Sequence, residues 1–162
     1  MSVILIGFMG AGKSTVARLL SADFIDLDKL IERQIEMPIA RFFELFGEQD
    51  FRQLENEVFE SSIQMDFVIA TGGGIVESEK NREVLQFQSQ VIYLQADFET
   101  LWMRIDADKE NVRPLASDKT AAQALFEKRA PLYEKFADFV VNVAEKSPME
   151  IVEEIRKWKE SR

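Results

Sequence analysis

The most constraining feature is Gly7-Phe8-Met9-Gly10-Ala11-Gly12-Lys13-Ser14, which directly follows the apolar run Val3-Ile4-Leu5-Ile6 and precedes a helical pattern. The spacing fits G-x-x-x-x-G-K-[ST], a loop that needs a strand to carry it and a helix to receive it. The glycines let backbone N–H groups curl round a phosphate, and the following helix adds its positive end. Lys13 supplies a point charge for β- and γ-phosphates, and Ser14 a hydroxyl for Mg²⁺. The bland alternative is a glycine-rich turn between strand and helix.

The rest of the chain supplies a frame for such a loop. Phe24-Ile25, Phe67–Ala70, Val91–Leu94 and Phe139–Val141 are further short apolar runs, each suited to a parallel strand covered on both faces. Helical spacing lies between them, at Phe51, Leu54 and Val58, then Met65, and at Ile151, Val152, Ile155 and Trp158. Ser147-Pro148-Met149-Glu150 opens that last helix with an N-cap, a proline at the first position and a capping-box Glu. This alternation predicts a three-layer α/β fold with a five-stranded parallel sheet and helices on both faces. At 162 residues it is one domain, 1–162. The polar stretch from Asp106 is read either as a surface loop or as a lid.

Composition removes several chemistries. With no cysteine and no histidine, disulfides, thiolate zinc sites, cysteine nucleophiles and an imidazole base are excluded. A net charge of −9 argues against nucleic acid or an anionic membrane as partner. Val3 to Met9 is far too short to span a bilayer, and no basic region precedes it. A cytoplasmic protein is expected.

Asn-Lys-x-Asp is missing, which disfavours a guanine-specific GTPase, and the chain is short for a motor or helicase core. A small kinase remains, or a module that only binds nucleotide. Asp26 and Asp28 close the second strand; in extended chain both point to one side, toward the edge where ligands gather in a doubly wound sheet. Alternatively they are helix N-terminal acids favoured by the dipole. The third strand ends in Thr71 without an aspartate, so Asp26 is the candidate Mg²⁺ partner beside Ser14, through water. Asp28 would then orient a substrate hydroxyl or take its proton.

Gly72-Gly73-Gly74 lets backbone approach a ligand closely, or is merely a flexible turn. Arg52 has Glu55 three residues on, which makes a solvated surface pair the competing reading. Arg129 falls on the apolar face of Ala122, Leu125 and Phe126, where a buried arginine needs an anion. Arg113, before Pro114, is either a surface residue or a lid cation.

Taken in order, these motifs resemble shikimate kinase over nearly the whole chain. The resemblance rests on Gly7–Thr15; Phe24-Ile25-Asp26-Leu27-Asp28 with Ile31-Glu32; Gly47-Glu48-Gln49-Asp50-Phe51-Arg52 with Glu55; Gly72–Gly74; Val112-Arg113-Pro114-Leu115; and Lys128-Arg129-Ala130-Pro131-Leu132-Tyr133. It implies a nucleoside-monophosphate-kinase-like enzyme that phosphorylates the 3-hydroxyl of shikimate with ATP and Mg²⁺, in aromatic amino-acid synthesis. It also implies a lid near 106–118, a substrate-binding helical segment near 29–65, and a monomer. ATP would be held by Gly10, Ala11, Gly12, Lys13, Ser14, Thr15, Arg104 and the lid residue Arg113. Shikimate would meet Asp28 at its hydroxyls, Gly73 and Gly74 as further contacts, and Arg52 and Arg129 at its carboxylate. Phe43, Phe51, Pro114 and Leu115 would wall the ring. Lys13, Asp28 and Arg113 would carry the chemistry. The segment between Thr15 and Asp26 is shorter than is usual in that family. A gluconate or nucleotide kinase is the nearest other enzyme, disfavoured by the arginine pair and the absence of a base-reading set. A nucleotide-binding module without catalysis is disfavoured by intact Lys13, Ser14, Asp26 and Asp28.

Overall fold

A computed structural model describes residues 1–108 and 118–162. Five parallel strands, β1 (Val3–Ile6), β2 (Phe24–Asp26), β3 (Val68–Ala70), β4 (Val91–Gln95) and β5 (Phe139–Asn142), form one sheet in the order β2-β3-β1-β4-β5. Ile4 sits at the centre, opposite Ile69 on one side and Val91 on the other. Ile4, Leu5 and Ile6 are wholly buried because helices cover both faces.

α1 (Lys13–Leu20) lies over β1, β2 and β3 and packs against α7 (Pro148–Glu160), which covers β5. On β4 lies α6 (Lys119–Phe136), with α4 (Glu79–Gln86) and α5 (Phe98–Ala107) against it. α2 (Leu27–Ile35) packs against α3 (Ile39–Ile63), which reaches α4. The capping box at Ser147 is formed in both directions: Glu150 N donates to Ser147 Oγ, and Ser147 N donates to Glu150 Oε1.

Two local expectations change. The helical spacing at Phe51, Leu54 and Val58 belongs to a longer helix that starts upstream at Ile39 and breaks at Gly47, where φ is +83°. The upstream piece is held by ring contacts, since Phe43 lies 5.0 Å and Phe42 6.2 Å from Phe51, centroid to centroid. Asp26 and Asp28 are not paired on an extended strand. Asp26 ends β2 and caps α2, accepting from Lys29 N at 3.2 Å, and Asp28 lies in the first helical turn. A capping aspartate satisfies orphan N–H groups that an extended continuation would not offer, so the chain turns helical at Leu27, two residues earlier than a strand through Asp28 requires.

Strand order changes direction at β1, whose neighbours β3 and β4 belong to opposite halves of the sheet. The loop after β1 therefore opens at the carboxyl edge where ligands bind in doubly wound sheets.

Candidate active site

The phosphate loop joins β1 to α1. Gly10 and Gly12 have φ of +81° and +91°, a left-handed conformation that a side chain would strain. Gly12 is the N-cap of α1, and among the described residues no side chain caps that helix, so its first N–H groups suit an anion. Lys13 Nζ curls over the loop and donates to Gly7 O and to Phe8 O. Thr15 lies in the same first turn. Arg104, from α5, donates to Gly10 O at 3.2 Å and to Val143 O at 3.3 Å, bridging the loop and the segment after β5.

Ser14 Oγ donates to Asp26 Oδ2 at 2.6 Å. Among the described residues no group of three or more metal-ligating side chains exists. One hydroxyl and one carboxylate at the end of a phosphate loop nevertheless suit Mg²⁺, a hard cation that keeps several waters and takes its other oxygens from phosphate. The helix-capping role of Asp26 leaves this intact, because its two oxygens are divided: Oδ1 accepts from Lys29 and Oδ2 faces Ser14.

The expected substrate residues come from α2, α3 and α6, yet they meet at one turn. A Cβ on Gly72 would lie 2.7 Å from Asp28 Oδ1; on Gly73, 3.4 Å from Arg129 Nη1; on Gly74 it would overlap the Arg52 guanidinium. The glycine triplet is thus a floor against which one carboxylate and two guanidiniums are pressed. It is followed by a 3₁₀ turn, Gly73–Val76, which leads to α4. Burial raises the Asp28 pKa above its ordinary value, Asp26 adds to the rise, and Lys13 and Arg52 oppose it.

Arg129 is 3% exposed, on the buried face its spacing predicts. Glu77 Oε2 lies 3.4 Å from its Nε, close enough to pair in charge but not aligned for a hydrogen bond, and Nε has none among the described residues. Lys128 Nζ approaches the other Glu77 oxygen at 3.4 Å. Tyr133, wholly buried one helical turn on, donates to Gly73 O at 2.5 Å and so ties α6 to the glycine floor. Glu77 and Tyr133 were not singled out from the sequence as supports of Arg129. Both act through contacts between α6 and the turn before α4, which helical spacing within α6 cannot reveal.

Arg52 is not a solvated surface residue. Its Nη1 donates to both oxygens of Glu55 at 3.1 Å, and its Nη2 donates to Glu48 at 3.2 Å. The Glu55 side chain is 1% exposed. Burial lowers the tendency of Arg52 to hold its proton, but Glu55 and Glu48 more than offset this, and its pKa is raised. Burial pushes Glu55 up to about 7, against the pull of Arg52.

The folded state holds the Glu55 proton more tightly than the unfolded chain, whose value is near 4.5. That contribution is full below the lower value and is lost as pH rises through about 7. Relative to Glu55→Gln, the wild type should lose roughly 3 kcal/mol of unfolding free energy across this window, on the order of 1.4 kcal/mol per pH unit. Urea titrations of both proteins at several pH values measure it. A difference that stays constant with pH would show Glu55 ionised throughout.

Of the expected site residues, Arg113 lies outside the described residues, as do 109–117 generally and with them most of the expected lid and its Pro114 and Leu115. Asp106 and Ala107 complete α5, and Asp118 caps α6 by accepting from Ala121 N at 2.7 Å. No helix among the described residues is long and apolar enough to cross a membrane.

Comparison with known proteins shows the family. The family model described as "Shikimate kinase" matches residues 9–160. A shikimate kinase of Lactococcus lactis subsp. cremoris is 65% identical over 159 residues, covering 98% of each chain. One from Streptococcus gordonii is 46% identical, covering 96% of this chain and 99% of its own. Among solved structures, shikimate kinase from Acinetobacter baumannii in complex with shikimate superposes with a TM-score of 0.91 at 32% identity, covering 99% of this chain and 93% of that one. A gluconokinase from Sinorhizobium meliloti, at 17% identity and a TM-score of 0.62, shares the fold alone.

Proposed function

Because this chain belongs to the shikimate kinase family and so phosphorylates shikimate with ATP, we propose how its residues divide that work. Gly10 to Thr15 hold the ATP phosphates, with Arg104 at the edge of the nucleotide site. Asp28 meets the substrate hydroxyls, while Arg52 and Arg129 grip the carboxylate over Gly73 and Gly74. The observation that carries this reading is the convergence of Asp28, Arg52 and Arg129, from three helices, on Gly72–Gly74. Shikimate is a small anionic polyol, and a site for it needs guanidinium forks at one end and a carboxylate at the other. Phe51, with Phe43 packed on it, supplies an apolar wall.

Phosphoryl transfer needs positioning and charge stabilisation more than covalent chemistry. Asp28, at a raised pKa, aligns the attacking 3-hydroxyl and accepts its proton. Lys13, released toward the β- and γ-phosphates, stabilises charge on the transferring group. Ser14 and Asp26 would hold Mg²⁺, which when bound neutralises phosphate oxygens. Arg113, in a lid spanning 106–118, adds a cation as closure excludes water. The substrate-binding segment is 29–65, the whole is one domain, and the enzyme works as a monomer in the cytoplasm.

A coupled assay of ADP release tests the reading. Turnover should require shikimate and Mg²⁺ together, and gluconate or a nucleoside monophosphate should not replace shikimate. ADP release at the same rate without shikimate would reduce the protein to an ATPase.

A further inference from the structure

Behind Arg52 lies a chain of buried polar groups that crosses from α3 to α4. Glu55 Oε1, which accepts from Arg52, also accepts from Asn81 Nδ2 at 3.0 Å. Asn81 Oδ1 in turn accepts from Asn56 Nδ2 at 3.1 Å. Asn81 is wholly buried and Asn56 is 6% exposed. A buried amide in such a place costs stability unless its groups are paired, and each bond made here is directional. The Glu55 oxygen, which already accepts from Arg52, takes the Asn81 NH₂, and this turns the Asn81 oxygen toward Asn56, whose NH₂ it accepts. The amide of Asn81 is thus held between two partners, and its bond to Oε1 fixes Glu55 on the side away from Arg52.

The backbone at Asn81 is anchored as well. Asn81 N donates to Ser78 Oγ at 3.1 Å, the N-cap of α4, and that cap follows the turn begun at Gly72–Gly74. One residue thus links the floor of the site to the carboxylate that holds Arg52. Arg52 has long side-chain freedom, and a fork grips a planar carboxylate only when its own plane is held. Glu48 alone does not hold it, since its side chain is 43% exposed and its bonds to Arg52 are 3.2–3.3 Å.

We propose that Asn81 is a positioning residue for shikimate binding, acting through Glu55 on the guanidinium of Arg52. The inference rests on the reading of Arg52 as a carboxylate ligand. Asn81 touches no substrate, and its effect appears in the affinity for shikimate, not in the transfer step.

Asn81→Leu keeps the side-chain size and removes the donor. It should raise the KM for shikimate about tenfold, the size of one lost hydrogen bond to a charged group. The KM for ATP and kcat should stay within about twofold. The same substitution in an Arg52→Ala background should add almost nothing, because the residue it positions is gone. Effects that multiply in the double variant, or an unchanged shikimate KM in the single one, would overturn the proposal. So would equal losses in shikimate and ATP affinity, which would mark a general loosening of α4. Where Asn81→Leu does not fold, Asn81→Asp serves, as it keeps an acceptor for Asn56 and sets a carboxylate against Glu55. It should raise the shikimate KM selectively, and a selective effect on ATP or none at all would count against us. Wild-type enzyme without shikimate turnover would instead defeat the functional reading itself, before Asn81 is at issue.

Discussion

Asp28→Asn should lower shikimate-dependent turnover by about 10²–10⁴-fold while leaving ATP affinity within about twofold. The substitution keeps the shape of the side chain and removes its charge and basicity. Asp28 is pressed against Gly72, across the site from Arg52 and close in charge to Lys13. Its pKa, raised by burial, makes it a better proton acceptor than an exposed aspartate. In the proposed role the ionised form accepts the proton, so the wild-type rate should fall as pH drops through that raised pKa, and the variant should lose this acid limb. Nucleotide titration and the coupled assay together decide the case. A large loss of ATP binding with normal shikimate binding would move Asp28 to the nucleotide side and give its acceptor role to Asp26.

Arg129→Ala should weaken shikimate binding by roughly 2–5 kcal/mol, or about 30-fold to several thousand-fold, with little change in ATP binding. Three observations set the size: the guanidinium is nearly fully buried, its Nε has no hydrogen bond among the described residues, and its Nη1 faces Gly73. Its removal also leaves Glu77 without its buried partner, so some loss of stability is expected and should be measured by urea unfolding. Arg129→Lys should recover only part of the affinity, since an ammonium cannot form the fork. An analogue with the carboxylate reduced to an alcohol separates binding from stability. Wild type should discriminate strongly against it, and Arg129→Ala much less. Equal discrimination by both proteins would mean that Arg129 does not hold the carboxylate.

Some of this was legible in the chain because it depends on neighbours in sequence. The phosphate loop is one such case: positive-φ glycines, the helix N-terminus and Lys13 lie within eight residues, and short-range geometry dictates their arrangement. The apolar runs Val3–Ile6 and Val91–Leu94 are another, since only a strand covered on both faces buries every residue in turn. The cap at Ser147 is a third, formed by residues three apart. Arg129 was conspicuous for the same reason: helical period alone puts it on a buried face.

What tertiary structure decided lies between elements. The sequence offered a solvated pair with Glu55 as one reading of Arg52; the pair is present, but it is buried and lies over Gly74, not in solvent. Strand alternation misread the Asp26–Asp28 pair, because capping begins where the chain leaves the sheet, and the alternation is blind to that point. Glu77, Tyr133 and Asn81 carry no local signature. Each is defined by a partner on another element, respectively Arg129, the Gly73 carbonyl and Glu55. Periodicity states which side of a helix is buried, but not what it is buried against. A buried polar group takes its role from the partner that compensates its lost water, and only the packing of α3, α4 and α6 around the glycine turn supplies that partner.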